Sequence, residues 1–171
     1  MKLGDPFDPA SDVGTLVSQD QYDKVMRYLD IAKHEGARVL VGGGPVSAPG
    51  REDALLIAPT VLVDVDPSMR IAREEIFGPV TSVIPFDTEE EAIEIANSVD
   101  YGLTSSIWTN DLKRAHRVAA AVEAGYLWIN TSSTHFIGTP FGGTKSSGLG
   151  REETIDELYS YTETKAVHVA L

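Results

Sequence analysis

Apolar positions along this chain recur with two different periods, and the switch between them marks out its elements. Tyr22, Val25, Met26, Leu29 and Ala32 fall three and four residues apart, the spacing of one helical face. Ser18 stands where an N-cap belongs and Gly36 where a helix stops, so a helix is predicted over about 19–35. Short apolar runs at 38–41, 58–63, 80–86, 103–108 and 126–130 read as strands. Between the later runs lie two more helical patterns. Thr88 with Glu91 three residues on is a capping box for a helix to about Val99, with Ala92, Ile93, Ile95 and Ala96 on its apolar side. Asn110 or Asp111 caps another, in which Leu112, Ala115, Val118, Ala119 and Val122 face inward and Gly125 ends the run. Strand, helix, strand, helix, strand with short joints predicts the α/β class: three-layer α/β/α with a mostly parallel sheet. In such sheets ligands lie beyond the carboxyl ends of the strands, which draws notice to Asn130 and the glycine-, serine- and threonine-rich loop 131–150. Residues 159–170 read as a short turn and a last alternating strand with Val167, Val169 and Leu171.

Composition narrows the class further. At 171 residues, the chain can bury about 70% of its unfolded surface in one domain. No apolar run nears the ~20 residues that cross a bilayer, and the opening Met1-Lys2-Leu3-Gly4-Asp5-Pro6 has no signal-peptide core. The expected location is cytoplasmic, with no membrane partner. The net charge of −12 argues against a nucleic-acid partner, because the one basic cluster, Lys113-Arg114 with Arg117, reads as the wet face of a helix. The chain has no cysteine, and its four histidines lack helix-face ligand spacing, so no metal site is expected.

Several stretches imitate known chemistry and fail on spacing. Gly42-Gly43-Gly44 follows a strand but leads into Pro45-Val46-Ser47-Ala48-Pro49, which opens no helix, so it is a turn and not a nucleotide cradle. Gly138 and Gly143 precede Thr144-Lys145, but a phosphate loop needs lysine directly after the second glycine. Ser133 with His135 has neither a nucleophile elbow nor an evident orienting carboxylate. The run Glu89-Glu90-Glu91 opens a helix, where acids favour the dipole.

The stretch Arg73-Glu74-Glu75-Ile76-Phe77-Gly78-Pro79-Val80 is more pointed. It sets a carboxylate two residues before an aromatic in a loop that turns into a strand, so Glu75 and Phe77 could flank one small-molecule face. The plainer alternative is two solvated carboxylates and a core phenylalanine. Glu74–Pro79, then Asn97 with Tyr101-Gly102-Leu103, Ala124-Gly125 with Trp128-Ile129-Asn130, and Pro140-Phe141-Gly142-Gly143-Thr144-Lys145-Ser146-Ser147-Gly148 before Gly150-Arg151-Glu152 form an ordered set. With Gly4–Pro9 at the start and Tyr161–Lys165 at the end, the set resembles the aldehyde dehydrogenase superfamily, over nearly the whole chain.

That resemblance implies the fold of an aldehyde dehydrogenase C-terminal domain. It implies that residues 1–158 are part of the catalytic domain and 159–171 an oligomerisation strand, giving a homodimer or homotetramer. Glu75 corresponds to a glutamate on hydroxyls of the nicotinamide-side ribose and Phe77 to the aromatic beside the nicotinamide of NAD or NADP. Phe141 corresponds to an aromatic of the aldehyde tunnel, and His135 and Phe136 lie where members vary the substrate entrance. Members are roughly three times longer, with a dinucleotide-binding domain and a cysteine nucleophile ahead of Gly4-Asp5-Pro6. The chain therefore resembles a C-terminal fragment cut just after those residues. The whole enzyme would turn an aldehyde into a carboxylic acid through a cysteine thiohemiacetal, and the fragment alone would be inactive. A rival expectation is a non-catalytic assembly module, since 164–171 has the alternation for edge pairing.

Overall fold

Helix α1, Gln19–Glu35, forms where its apolar stripe places it in a computed structural model that describes residues 1–48 and 50–171. The Ser18 hydroxyl accepts from the Gln21 amide at 3.2 Å, and the Gly36 amide returns to carbonyls of the last turn. Val25, Leu29 and Ala32 are fully buried, while Tyr22 and Met26 pack on the margin of the same core. Each buried leucine or valine stabilises the fold by roughly 1.5–3 kcal/mol.

The chain divides into two compact units, Met1–Pro85 and Phe86–Leu171. In the first, β1 (Arg38–Val41), β2 (Thr60–Val63) and β3 (Val80–Ser82) form one sheet in that order. The β1·β2 ladder is antiparallel with an irregularity between Val39 and Val41, and β2·β3 is parallel. Leu62 of β2 and Ile71 of the single-turn helix α2 (Arg70–Arg73) meet α1 in the core. β2 begins at Thr60 rather than Ala58, because Pro59 has no amide to donate. β3 was expected to reach Phe86 but ends at Ser82: its register partner is Leu62, and β2 is itself finished one residue later.

The second unit holds α3 (Glu89–Asn97), β4 (Tyr101–Gly102), β5 (Thr104–Ile107), α4 (Leu112–Ala121), β6 (Tyr126–Ile129), β7 (Thr144–Lys145) and α5 (Ile155–Ser160). β5 and β6 pair in parallel with α4 as their crossover, and β4 pairs antiparallel with β7. The α/β class is as expected. Thr88 caps α3 through the Glu91 amide, but the Glu91 carboxylate accepts from Asp87, one residue before the box position. Arg114 and Arg117 of α4 pair with Glu89, so the basic cluster is tied to α3.

Four local expectations need correcting. α4 ends at Ala121, not near Gly125, because the Asn97 side chain accepts from the Glu123 amide and donates to the Ala121 carbonyl. Leu112, expected to face inward, is 68% exposed in the first turn of α4, and Ala96 of α3 is also exposed. The loop 131–150 is not wholly irregular, since it contains β7. Finally, the strand expected over 164–171 does not form in the single chain. Among the described residues nothing pairs with 163–171, and Val167, Val169 and Leu171 stand exposed; a strand needs a ladder partner. Residues 158 and 159, where the domain boundary was expected, both lie within α5. Among the described residues no helix is long and apolar enough to cross a membrane, and no cluster of ligating side chains could hold a metal.

Candidate cofactor and substrate loops

The loop 74–79 is fixed from both sides by side chains of α1. Glu74 closes α2 and receives the Arg70 guanidinium in a two-point ion pair, 2.8 and 2.9 Å, and the Tyr28 hydroxyl at 2.5 Å. Arg70 first, then Tyr28, hold the Glu74 carboxyl down to about 2, and the bond to that carboxylate pushes the Tyr28 phenol up. Glu74 is therefore no loosely solvated loop charge. Ile76 enters the core, while Phe77 faces outward, 73% exposed. The plainer alternative of a core phenylalanine is set aside by that exposure.

Phe77 also takes a positive φ of 58°, uncommon for an aromatic side chain. The Gln21 side-chain amide donates to the carbonyls of both Ile76 and Phe77 at 2.8 Å. Gly78 follows, and a Cβ there would lie 2.6 Å from a Val25 methyl, so only glycine lets the loop approach α1 this closely. Glu75 is exposed, and among the described residues nothing hydrogen-bonds its carboxylate. Glu75, Phe77 and Gly78 line one open depression of about 410 Å³ with Ser82 and Ile84. The sequence places Glu75 and Phe77 together, and so does the fold.

The second group of expected residues is organised by β6. Tyr126 and Trp128 are buried on that strand, and the ring of His135 stacks on Tyr126 with centroids 5.8 Å apart and planes 12° apart. Phe141 leans on His135 at 4.6 Å and on Tyr126 at 5.6 Å. The Trp128 indole donates to the Thr134 carbonyl at 2.8 Å, and His135 Nδ1 lies 2.8 Å from the Glu153 carboxylate. His135 and Phe141 are thus joined in one aromatic cluster. Phe136, one place on, is 61% exposed and outside it. Phe141 is further tied by a two-way backbone pair with Glu152. Phe141 thus anchors the loop in this packing, whereas Phe136 is exposed.

Five residues that the sequence reading did not single out shape these loops: Gln21, Tyr28, Tyr126, Trp128 and Glu153. Only Trp128 lay inside a motif already noted. Gln21 and Tyr28 sit on a helix whose apolar stripe masks them, and Glu153 meets His135 across eighteen residues.

Comparison with known proteins shows the family of the chain. The chain superposes on betaine aldehyde dehydrogenase from Staphylococcus aureus, solved in complex with NAD+, with a TM-score of 0.89 at 42% identity, covering 94% of this chain and 32% of that one. A putative aldehyde dehydrogenase from Burkholderia cenocepacia gives 0.90 at 42% identity, covering 95% and 33%. In sequence it is 47% identical over 167 residues to aldehyde dehydrogenase tropH of Talaromyces stipitatus, covering 96% of this chain and 32% of that protein. It is 48% identical over 169 residues to betaine aldehyde dehydrogenase of Sinorhizobium fredii, covering 99% and 34%. The profile of the aldehyde dehydrogenase family matches residues 1–167, and the chain belongs to that family. It spans about a third of the length of these relatives.

Proposed function

We propose that this chain is part of an NAD(P)-dependent oxidoreductase that converts an aldehyde into a carboxylic acid. The observation that carries the proposal is the depression shared by Glu75 and Phe77. An unpaired carboxylate and an outward-facing ring lie on one open face, within a family whose Staphylococcus aureus member is solved with NAD+. A carboxylate with no partner among the described residues can accept from two vicinal hydroxyls at once, which suits a ribose. An exposed ring on a fixed backbone can pack against a flat heterocycle and exclude water from one of its faces. Glu75 and Phe77 would hold the cofactor, which supplies hydride acceptance when bound. On the substrate side, Phe136 offers a free aromatic surface, while His135 and Phe141 set the shape of the loop that carries it.

The 171 residues contain no cysteine, so this chain alone has no thiolate to attack a carbonyl. The test is an assay at the NADH absorbance. The purified chain with NAD or NADP and a panel of aldehydes is expected to form no NADH, and the longer protein that contains it is expected to form it. NADH formed by the chain alone would overturn this division of labour. The same reading places the enzyme in the cytoplasm.

A second reading, that the chain serves assembly as well, draws on its tail. Val167, Val169 and Leu171 alternate, stand exposed and have no ladder partner among the described residues. Residues 164–171 would pair with a sheet edge of a second copy, giving a homodimer or homotetramer. Light scattering of the chain at high concentration is expected to show association, which removal of 164–171 abolishes.

A further inference from the structure

We propose that Gln21 is a positioning residue that holds Phe77 in its left-handed conformation and thereby sets how the Glu75–Phe77 loop meets the cofactor; this rests on the function proposed above. The Gln21 amide has two N–H groups, and one nitrogen reaches both the Ile76 and the Phe77 carbonyl at 2.8 Å, from fifty-five and fifty-six residues away. Those two carbonyls bracket the backbone torsions of Phe77, the residue with φ 58°. An aromatic residue leaves that region readily unless something holds it there.

The ring does not hold it. At 73% exposure it gains little from burial, so the conformation cannot be explained by packing of the side chain. The neighbours are fixed independently, with Ile76 in the core and Gly78 against Val25. That leaves the torsions between them as the freedom Gln21 removes. Gln21 is itself held, because its backbone amide donates to the Ser18 hydroxyl at 3.2 Å. It belongs to none of the buried positions of α1, whose core residues are Val25, Leu29 and Ala32. Its side chain has no other protein partner among the described residues. Such an arrangement costs side-chain freedom and fits a residue kept for the shape of the loop it holds.

The experiment is a double-mutant cycle in the full-length enzyme, reading KM for NAD, KM for the aldehyde, kcat and the thermal midpoint. Gln21→Met keeps length and volume but removes both donors. It is expected to raise KM for NAD about tenfold while leaving KM for the aldehyde and the thermal midpoint nearly unchanged. Gln21→Lys, which restores a donor at similar reach, is expected to recover most of the loss. In a Phe77→Ala background, Gln21→Met is expected to add little, since there is no ring left to position. Additive losses, or a fall in thermal midpoint with no selective change in KM for NAD, would overturn the inference. If Phe77→Ala and Glu75→Gln each leave KM for NAD unchanged, the cofactor reading fails as well. If those two raise it and Gln21→Met does not, the inference alone fails.

Discussion

The loop at 74–79 and the loop at 131–150 are held in opposite ways. The first is short and rides on a dense core: Ile76 is buried among Val25, Leu29, Leu62 and Ile71, and Gln21, Tyr28 and Arg70 secure its polar groups. The second is long, and every residue from 131 to 140 is exposed. It is kept by scattered hydrogen bonds: buried Trp128 to Thr134, buried Gly102 to Ser147, and the exposed Arg151 to the Gly143 carbonyl. A loop fixed by a core presents one geometry. A loop fixed by scattered bonds can change its side chains and keep its anchors, which fits the cofactor and substrate sides proposed above.

The largest break in that contrast is expected from Leu29→Ala, fully buried in the first core. Equilibrium denaturation should show a loss of about 2–5 kcal/mol. Next comes Gly125→Ala. A Cβ there would lie only 1.8 Å from the Gly142 carbonyl oxygen, so the strand and the second loop must part. The expected loss is about 1–3 kcal/mol, with hydrogen exchange rising across 140–150 and not across 74–79. Trp128→Phe keeps an aromatic ring but loses the indole N–H and some buried volume, freeing the Thr134 carbonyl, with an expected loss of about 0.5–1.5 kcal/mol and faster proteolysis near 131–136.

The smallest effect concerns acid. Glu74 is held down to about 2 from an ordinary 4.5, chiefly by Arg70 and then Tyr28. A depressed carboxyl stabilises the fold fully above its unfolded value, and that stability is lost as pH falls from about 4.5 through 2. Replacing Arg70 by Met and Tyr28 by Phe should flatten that part of the stability-against-pH curve. An unchanged acid limb would show that the Glu74 pairing is not what orders the first loop.

Much of this contrast could be read in the sequence, and the remainder has physical reasons for being hidden. The helix behind Ser18 and the parallel β5·β6 pair follow from periodicity and caps, which act over a few residues. Glu75 and Phe77 were legible as a pair because they lie two apart in one loop. Gln21 was not, because its partners are more than fifty residues away and nothing in a helix's stripe marks a polar side chain that reaches a distant carbonyl. The end of α4 was misplaced for a similar reason, since Asn97 takes over its last groups from another element. The last strand was legible as a pattern, but among the described residues nothing pairs with 163–171.

Hydrogen exchange on the full-length enzyme, free, with NAD and with an unreactive aldehyde analogue, tests the central claim most directly. NAD is expected to slow exchange in peptides spanning 74–79 while leaving 131–139 unchanged, and the analogue is expected to do the reverse. Slowing by NAD at 131–139 with none at 74–79 would contradict the assignment of Glu75 and Phe77 to the cofactor.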